Sequence, residues 1–296
     1  MKLCYRTVGI TARSDIGDRI ETLKLVTNIL VQAGANVLID GKRCSVPVLK
    51  KFGRYHTMKE LDLLIVLGGD GTILRAVREM DDLSVPILSV NRGTIGFLAE
   101  MDIHEVPTML PQFIAGHGHV EKRSLLHVTA ERGKKILWKG YVLNEVVIAQ
   151  GAISRLIDLK TSIDGDPLTV FHADGVIIAT PTGSTAYSLA AGGPIVHPDL
   201  RATILTPINP HSFTQKPLVL PAENIVQIMI QTKPSTFSDV RVSLTLDGQT
   251  YVTLRRGDTV RASAADETVQ FLRRSKETYF SSLRSKLKWG EGLEKE

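Results

Sequence analysis

The stretch LDLLIVLGGDGTILRAV, residues 61–77, decides the architecture. Its first part, LDLLIVL, is aliphatic apart from Asp62 and ends on glycines, so it reads as a short strand buried on both faces. Gly68 and Gly69 permit a turn that side chains resist, and a helix starting near Thr72 points its first free N–H groups back into that turn. Strand, glycine turn and helix make half of a parallel βα unit. Working outward, VGIT, IGDRIETLKLVTNILVQAG, NVLID and PILSVN repeat the alternation of short aliphatic runs with helical periodicity. In the first helix Ile20, Leu23, Val26, Ile29 and Leu30 fall on one stripe, Ser14 or Asp15 stands where a cap belongs, and Gly34 where the helix stops.

From residue 119 the texture becomes period-two runs broken by Arg-Gly, Asp-Gly and Gly-Asp pairs, as in LLHVTAERGKKILWKGYVLNEVVIA and LIDLKTSIDGDPLTVF. Such runs predict hairpins. The closing FLRRSKETYFSSLRSKLKWG reads as a helix, because Tyr279, Phe280, Leu283 and Leu287 recur at three to four residues and its charges suit a solvated face. The expected fold is therefore an α/β N-terminal domain with a parallel sheet over residues 1–118, completed by a C-terminal helix over 268–290. A predominantly antiparallel β domain occupies 119–267.

With 296 residues and 43% hydrophobic content the chain can bury a real core. The net charge of +5 is spread along the chain, which suits a small anionic ligand and argues against a nucleic-acid track. Cys4 and Cys44 are the only cysteines, and no His/Cys cluster has zinc spacing. No apolar run approaches the ~20 residues of a membrane span. A cytoplasmic protein without membrane or nucleic-acid partners is expected.

The glycine turn at 68–71 fits neither common phosphate motif. The Gly-Lys pairs at 41 and 133 lack the upstream glycine of a P-loop, and the Gly69-x-Gly71 run ends on Leu74 where a dinucleotide fingerprint needs glycine. Asp70, in the middle of the turn, either caps the helix or supplies a carboxylate for phosphoryl transfer, as proton acceptor or magnesium ligand. A second loop, SVNRGTIGFLAE, sets Gly93 and Gly96 ahead of Phe97, a ring that can lie against a base or join the core. A third site, FHADGVIIATPTGSTAYSLAAGGP, runs a strand into clustered hydroxyls and an Ala-rich helix. It offers an anion or ribose site at a helix N-terminus, and Ser184 lacks the flanking glycines of a hydrolase elbow.

GGDGT, NRGTIGFL, LNEVVI, ADGVIIATPTGSTAYSLAAGGP, PINPHSFTQKPLVLP and LDGQ, in that order, resemble the bacterial NAD kinases along nearly the whole length. GGDGT alone is shared with other kinases, whereas TPTGSTAY together with NE and DGQ is far narrower. The resemblance implies transfer of the terminal phosphoryl group of ATP, or polyphosphate in some members, to the 2′-hydroxyl of the adenosine ribose of NAD. Magnesium accompanies ATP. It also implies Asp70 as proton acceptor with Gly71 beside it, Asn144 and Glu145 as a ribose-binding pair, and His172 and Asp174 as dinucleotide contacts. Thr185, Ala186, Tyr187, Ser188 and Ala190 line the adenosine end, Phe97 lies near the adenine, and Arg155 and Gln249 touch the ligand. His172 stands where many relatives carry arginine. Arg75, one turn beyond Asp70, either balances phosphate charge or is a surface arginine, and Asp247 reads as an ordinary hairpin-turn residue. A homodimer or homotetramer, its pocket completed by a neighbouring subunit, is implied as well. The alternatives are a lipid kinase of the same superfamily, which would want an apolar channel, and a non-catalytic nucleotide sensor, which leaves Asp70 without a task.

Overall fold

The computed structural model describes residues 3–13, 19–44, 46–91, 96–151, 156–231, 242–274 and 278–289. Ser14, Asp15, Gly93 and Arg155 therefore lie outside the described residues. The chain divides into two compact units, one of Met1–Lys122 with Val269–Glu296, the other of Arg123–Thr268. Among the described residues no helix is long and apolar enough to cross a membrane.

The first unit contains β1 (Thr7–Ala12), α1 (Arg19–Gln32), β2 (Asn36–Asp40), β3 (Gly53–Tyr55), β4 (Leu63–Leu67), α2 (Asp70–Glu79), β5 (Ile87–Asn91), β6 (Met101–Asp102) and α3 (Val106–Ile114). Its strands pair in parallel in the order β3-β2-β1-β4-β5. β4 is buried along its full length, as its unbroken aliphatic run requires. Leu23, Val26 and Leu30 of α1 are fully buried against the sheet, while Ile20 is substantially exposed, so the buried stripe is narrower than the sequence pattern. Gly34 closes the helix as expected: its N–H donates to the Val31 carbonyl, and the Ala35 N–H donates to that of Leu30.

The second unit is antiparallel. The chain enters it within β7 (His119–Arg132) and continues through β8 (Lys135–Val142), β9 (Glu145–Gln150), β10 (Ile157–Ile163), β11 (Asp166–Ala173) and β12 (Gly175–Ala179). The short α4 (Tyr187–Ala190) follows, then β13 (Ala202–Ile208), β14 (Leu218–Pro221), β15 (Val226–Ile230), β16 (Val242–Leu246), β17 (Thr250–Leu254) and β18 (Thr259–Arg273), whose end lies in the first unit. One sheet runs β14-β13-β12-β9-β16-β17, and β11-β10-β15-β18 form another layer. Val146, Ile148, Val176 and Ile178 of the first pack with Leu159, Phe171, Ile228 and Val260 of the second in one core. Ile177 and Ala179 join a separate cluster with Val147 and Ile204. Strand β12 is thus buried on both faces, which explains the uninterrupted apolar run GVIIA.

The expected helix over 268–290 is corrected. Strand β18 extends to Arg273, with Phe271 paired in parallel to Ile87, and the helix, α5, spans only Thr278–Leu287. Phe271, Leu272 and Arg273 are all buried, and a strand ending in the sheet accommodates that run where a one-sided helix cannot. Arg284 and Lys288 are exposed, as a solvated face requires, whereas the two arginines ahead of the helix are engaged in ion pairs. Arg273 pairs with Glu100 and Glu121, and Arg274 with Glu100 and Glu105. On α5 itself Leu283 is buried and Phe280 faces outward.

Candidate functional site

In the first unit the strand order reverses between β1 and β4, and in open α/β sheets such a reversal opens a crevice at the carboxyl ends of the strands. The turn after β4 leads directly from that point into α2. The helix starts at Asp70, two residues before the expected Thr72, and its N-cap is Gly69 without a side-chain cap. Asp70 therefore does not cap its own helix. Its carboxylate reaches the second glycine loop instead: Oδ2 accepts the Phe97 N–H at 2.9 Å and Oδ1 the Leu98 N–H at 3.3 Å. A Cβ on Gly96 would collide with that carboxylate, so glycine there is a condition of the approach. Gly71 is exposed on the next position, and Phe97 is partly buried. Arg75 is not a loose surface arginine, since its Nη2 donates to the Ala12 carbonyl at 2.9 Å and clasps the end of β1 to α2.

In the second unit Asn144 and Glu145 stand at the start of β9, and the residue that shapes them is Asp247. Asp247 opens the β16–β17 turn with φ +48° and is buried, and its carboxylate accepts the N–H groups of Leu143 (3.0 Å), Asn144 (2.8 Å) and Glu145 (3.2 Å). The hairpin reading of Asp247 is right about the turn and misses this clamp. Glu145 is buried, and its Oε2 has no hydrogen-bond partner. Burial, and then the nearby Asp247 charge, push its carboxyl up to about 8, while the Tyr187 amide opposes the shift. Gln249 sits in the same turn, its N–H bonded to the Leu246 carbonyl.

The TPTGSTAY segment packs against this pair. The Thr180 hydroxyl donates to the Leu143 carbonyl at 2.6 Å, its N–H donates to that of Asn144, and a Cβ on Gly183 would overlap the Asn144 backbone. The Ala-rich helix expected here forms only as the four residues of α4, with Gly192 (φ +86°) following as the expected stop. A 3-10 turn at Thr182–Thr185 breaks at Ala186 (φ −98°, ψ −131°) before the four residues of α4, so there is no extended helix N-terminus to bind an anion. The hydroxyls explain the break, because they bond to the local backbone in competition with helix ladders. Ser184 Oγ donates to Pro181 and accepts the Val196 N–H, and Thr185 Oγ1 donates to Thr182. Ser188 is fully buried and shares a 2.9 Å hydroxyl bond with Thr206, while Tyr187 and Ala190 are exposed and Ala186 is half-buried.

His172 and Asp174 flank the β11–β12 junction. His172 Nδ1 lies 2.7 Å from Asp158 Oδ1, and its ring meets His211 edge-on at 5.7 Å. Asp174 accepts from Gln150 Nε2 (2.9 Å) and Asn209 Nδ2 (3.0 Å). Thus Asp70, Gly71, Arg75 and Phe97 gather in the first unit. Asn144, Glu145, Tyr187 and Gln249 gather around Asp247 in the second. Sequence reasoning missed Asp158, His211 and Thr206 as partners, since nothing local marks them.

Comparison with known proteins gives consistent matches. The ATP-NAD kinase N-terminal domain family matches residues 9–118, and the ATP-NAD kinase C-terminal domain family matches residues 143–274. The NAD kinase of Citrifermentans bemidjiense is 44% identical over 78% of this chain and 79% of its own length. That of Desulforamulus reducens is 36% identical over 97% of this chain and 99% of its own. Among solved structures, yeast NADH kinase complexed with NADH superposes with a TM-score of 0.84 at 27% identity, covering 97% of this chain and 89% of that one. An NAD kinase from Archaeoglobus fulgidus in complex with ATP shares the fold, with a TM-score of 0.72 at 23% identity, covering 94% and 99%.

Proposed function

The chain belongs to the ATP-NAD kinase family, and from that premise we propose that it phosphorylates NAD at the 2′-hydroxyl of the adenosine ribose, with ATP as donor. The observation that carries this reading is the Asp70 carboxylate, fixed by two main-chain amides at the point where the strand order reverses. A carboxylate held there by neutral donors keeps lone pairs free for a hydroxyl proton. As the ribose oxygen bonds to the γ-phosphorus and the bond to the β-phosphate oxygen breaks, Asp70 takes the hydroxyl proton and ADP leaves. ATP enters as its magnesium complex, the metal riding on the phosphates and neutralising their charge.

Asn144 and Glu145, locked by Asp247, present an amide and a carboxyl to a pair of sugar hydroxyls. In the second unit Tyr187 supplies an apolar face to the adenosine end, with Thr185, Ala186, Ala190, His172, Asp174 and Gln249 as further contacts, and in the first unit Gly71 and Phe97 flank Asp70. Ser188 acts from behind, through its buried bond to Thr206. The active form is a homo-oligomer in the cytoplasm. A coupled assay for NADP from NAD and MgATP tests the reading with wild-type protein and Asp70→Asn side by side. The substitution lowers kcat by about 10²- to 10⁴-fold, the usual worth of a general base, and leaves NAD affinity within a few-fold. Absence of NADP with wild-type protein, or full turnover by Asp70→Asn, would refute it.

A further inference from the structure

We infer that Arg273 is a positioning residue for Asp70, acting through the main chain of Leu98. The inference rests on the proton-acceptor reading of Asp70 given above. Leu98 is held at both of its backbone polar groups. Its N–H donates to Asp70 Oδ1 at 3.3 Å, and its carbonyl accepts from Arg273 Nη1 at 3.0 Å and from the Ser89 hydroxyl at 2.9 Å. The bond to Asp70 is already near the long end for an N–H···O contact, so a small slip of Leu98 would break it and leave the carboxylate on the Phe97 N–H alone, free to turn. What prevents the slip is buried on the far side of the residue.

The guanidinium that holds the carbonyl is itself immobile. Arg273 is buried, its Nε bonds Glu121 Oε2 at 2.8 Å, and Nη1 also reaches Glu100 Oε2 at 3.2 Å. Glu100 is in turn fixed by Arg274, through Nε and the backbone N–H, both at 3.0 Å from Oε1. A buried ion pair is by itself weak evidence of stabilisation, because desolvation offsets its attraction. This one is distinguished by its aim. A planar fork with two of its edges taken by carboxylates directs a donor at one particular carbonyl, two bonds of main chain from the Asp70 contact. Displacement of a reacting group by about 1 Å can cost on the order of 10²-fold in rate, so such a clamp has a function to serve.

The test uses the full chain and NADP formation from NAD and MgATP. Arg273→Lys keeps the charge and loses the fork, and Ser89→Ala removes the second donor with minimal change of volume. Each is made in the wild-type and in the Asp70→Asn background. The expected result is a roughly tenfold fall in kcat for each in the wild-type background, KM for NAD within twofold, unchanged circular dichroism, and little further loss in the Asp70→Asn background. Arg274→Gln, which loosens Glu100 without touching Leu98, lowers kcat by less than Arg273→Lys does. Equal losses in the two backgrounds, an effect on KM alone, unaltered kcat, or a matching loss in Arg274→Gln would each overturn the inference. Should Asp70→Asn itself turn over normally, the proton-acceptor reading fails first and is identified as the point of failure.

Discussion

Replacing Glu145 by Gln asks whether the carboxyl assigned to the ribose is kept in place against the interests of folding. Glu145 rises from 4.5 to about 8 in the folded chain, chiefly because it is buried and then because Asp247 lies beside it. With the folded value raised, the folded state holds its proton after the unfolded chain has released it. The contribution to stability is therefore complete below about 4.5 and is lost as the pH climbs through about 8. At 1.36 kcal/mol per pH unit of separation, the loss is about 3 kcal/mol at pH 7 and approaches about 5 kcal/mol at pH 9. Gln at 145 has the same shape and no titration, so it removes that slope. Urea unfolding followed by Trp138 fluorescence at pH 5, 7 and 9 reads the difference directly. The two proteins should lie within about 1 kcal/mol of each other at pH 5 and diverge in favour of the variant as the pH rises. NAD binding should move the opposite way. Sugar hydroxyls donate best to the ionised carboxylate, so wild-type binding at pH 7 should expel close to one proton, and the variant should bind weakly with no release. Calorimetry in buffers of different ionisation heat measures that proton. Parallel stability profiles from pH 5 to 9, or a wild type that gains on the variant with rising pH, would refute the argument.

Asp247→Ala leaves three amides, two of them buried, without their acceptor, so it should destabilise the second unit by about 3 kcal/mol in denaturant unfolding and weaken NAD binding with it. Gly96→Ala should abolish most NADP formation while leaving the melting temperature within a few degrees, because the new methyl displaces the Asp70 carboxylate at the surface of the unit; steady-state kinetics beside a thermal scan separates the two effects. Arg274→Gln should flatten the acid limb of stability. Arg274 holds Glu105 down to about 2, so the pair contributes above about 4.5 and fades as the pH falls toward 2, with on the order of 1 kcal/mol at stake once solvent screening is allowed for. Unfolding at pH 3 and pH 6 checks it.

The fold was legible wherever burial alone decides the pattern. LLIVL can only be a strand sheathed on both sides, and GVIIA likewise, so the sheets follow from the aliphatic runs and the glycines that end them. The candidate site was legible as far as its motifs are contiguous: GGDGT, NE and TPTGSTAY each mark a turn that the structure forms. What escaped was held by partners far along the chain. Asp247 looks like any Asp-Gly turn because the amides it clamps are more than a hundred residues away. FLRR shows no period that separates strand from helix, and its arginines look solvated until Glu100 and Glu121 are folded against them. Asp70 stands where either a helix cap or a reactive carboxylate belongs, and nothing in GGDGT reveals that its carboxylate reaches across to the N–H groups of Phe97 and Leu98. The Ala-rich run does carry a helix that ends just before Gly192, and what it conceals is how short the neighbouring hydroxyls keep it.

Residues 269–274 leave the ribosome only after the whole of Arg123–Thr268, yet they complete the unit that opens the chain. Until they arrive, Glu100 and Glu121 have no guanidinium between them and one edge of β5 lacks its neighbour. A nascent polypeptide stalled before this point would lack the guanidinium that binds the Leu98 carbonyl, so the unit begun first is finished last, after synthesis of the other is complete.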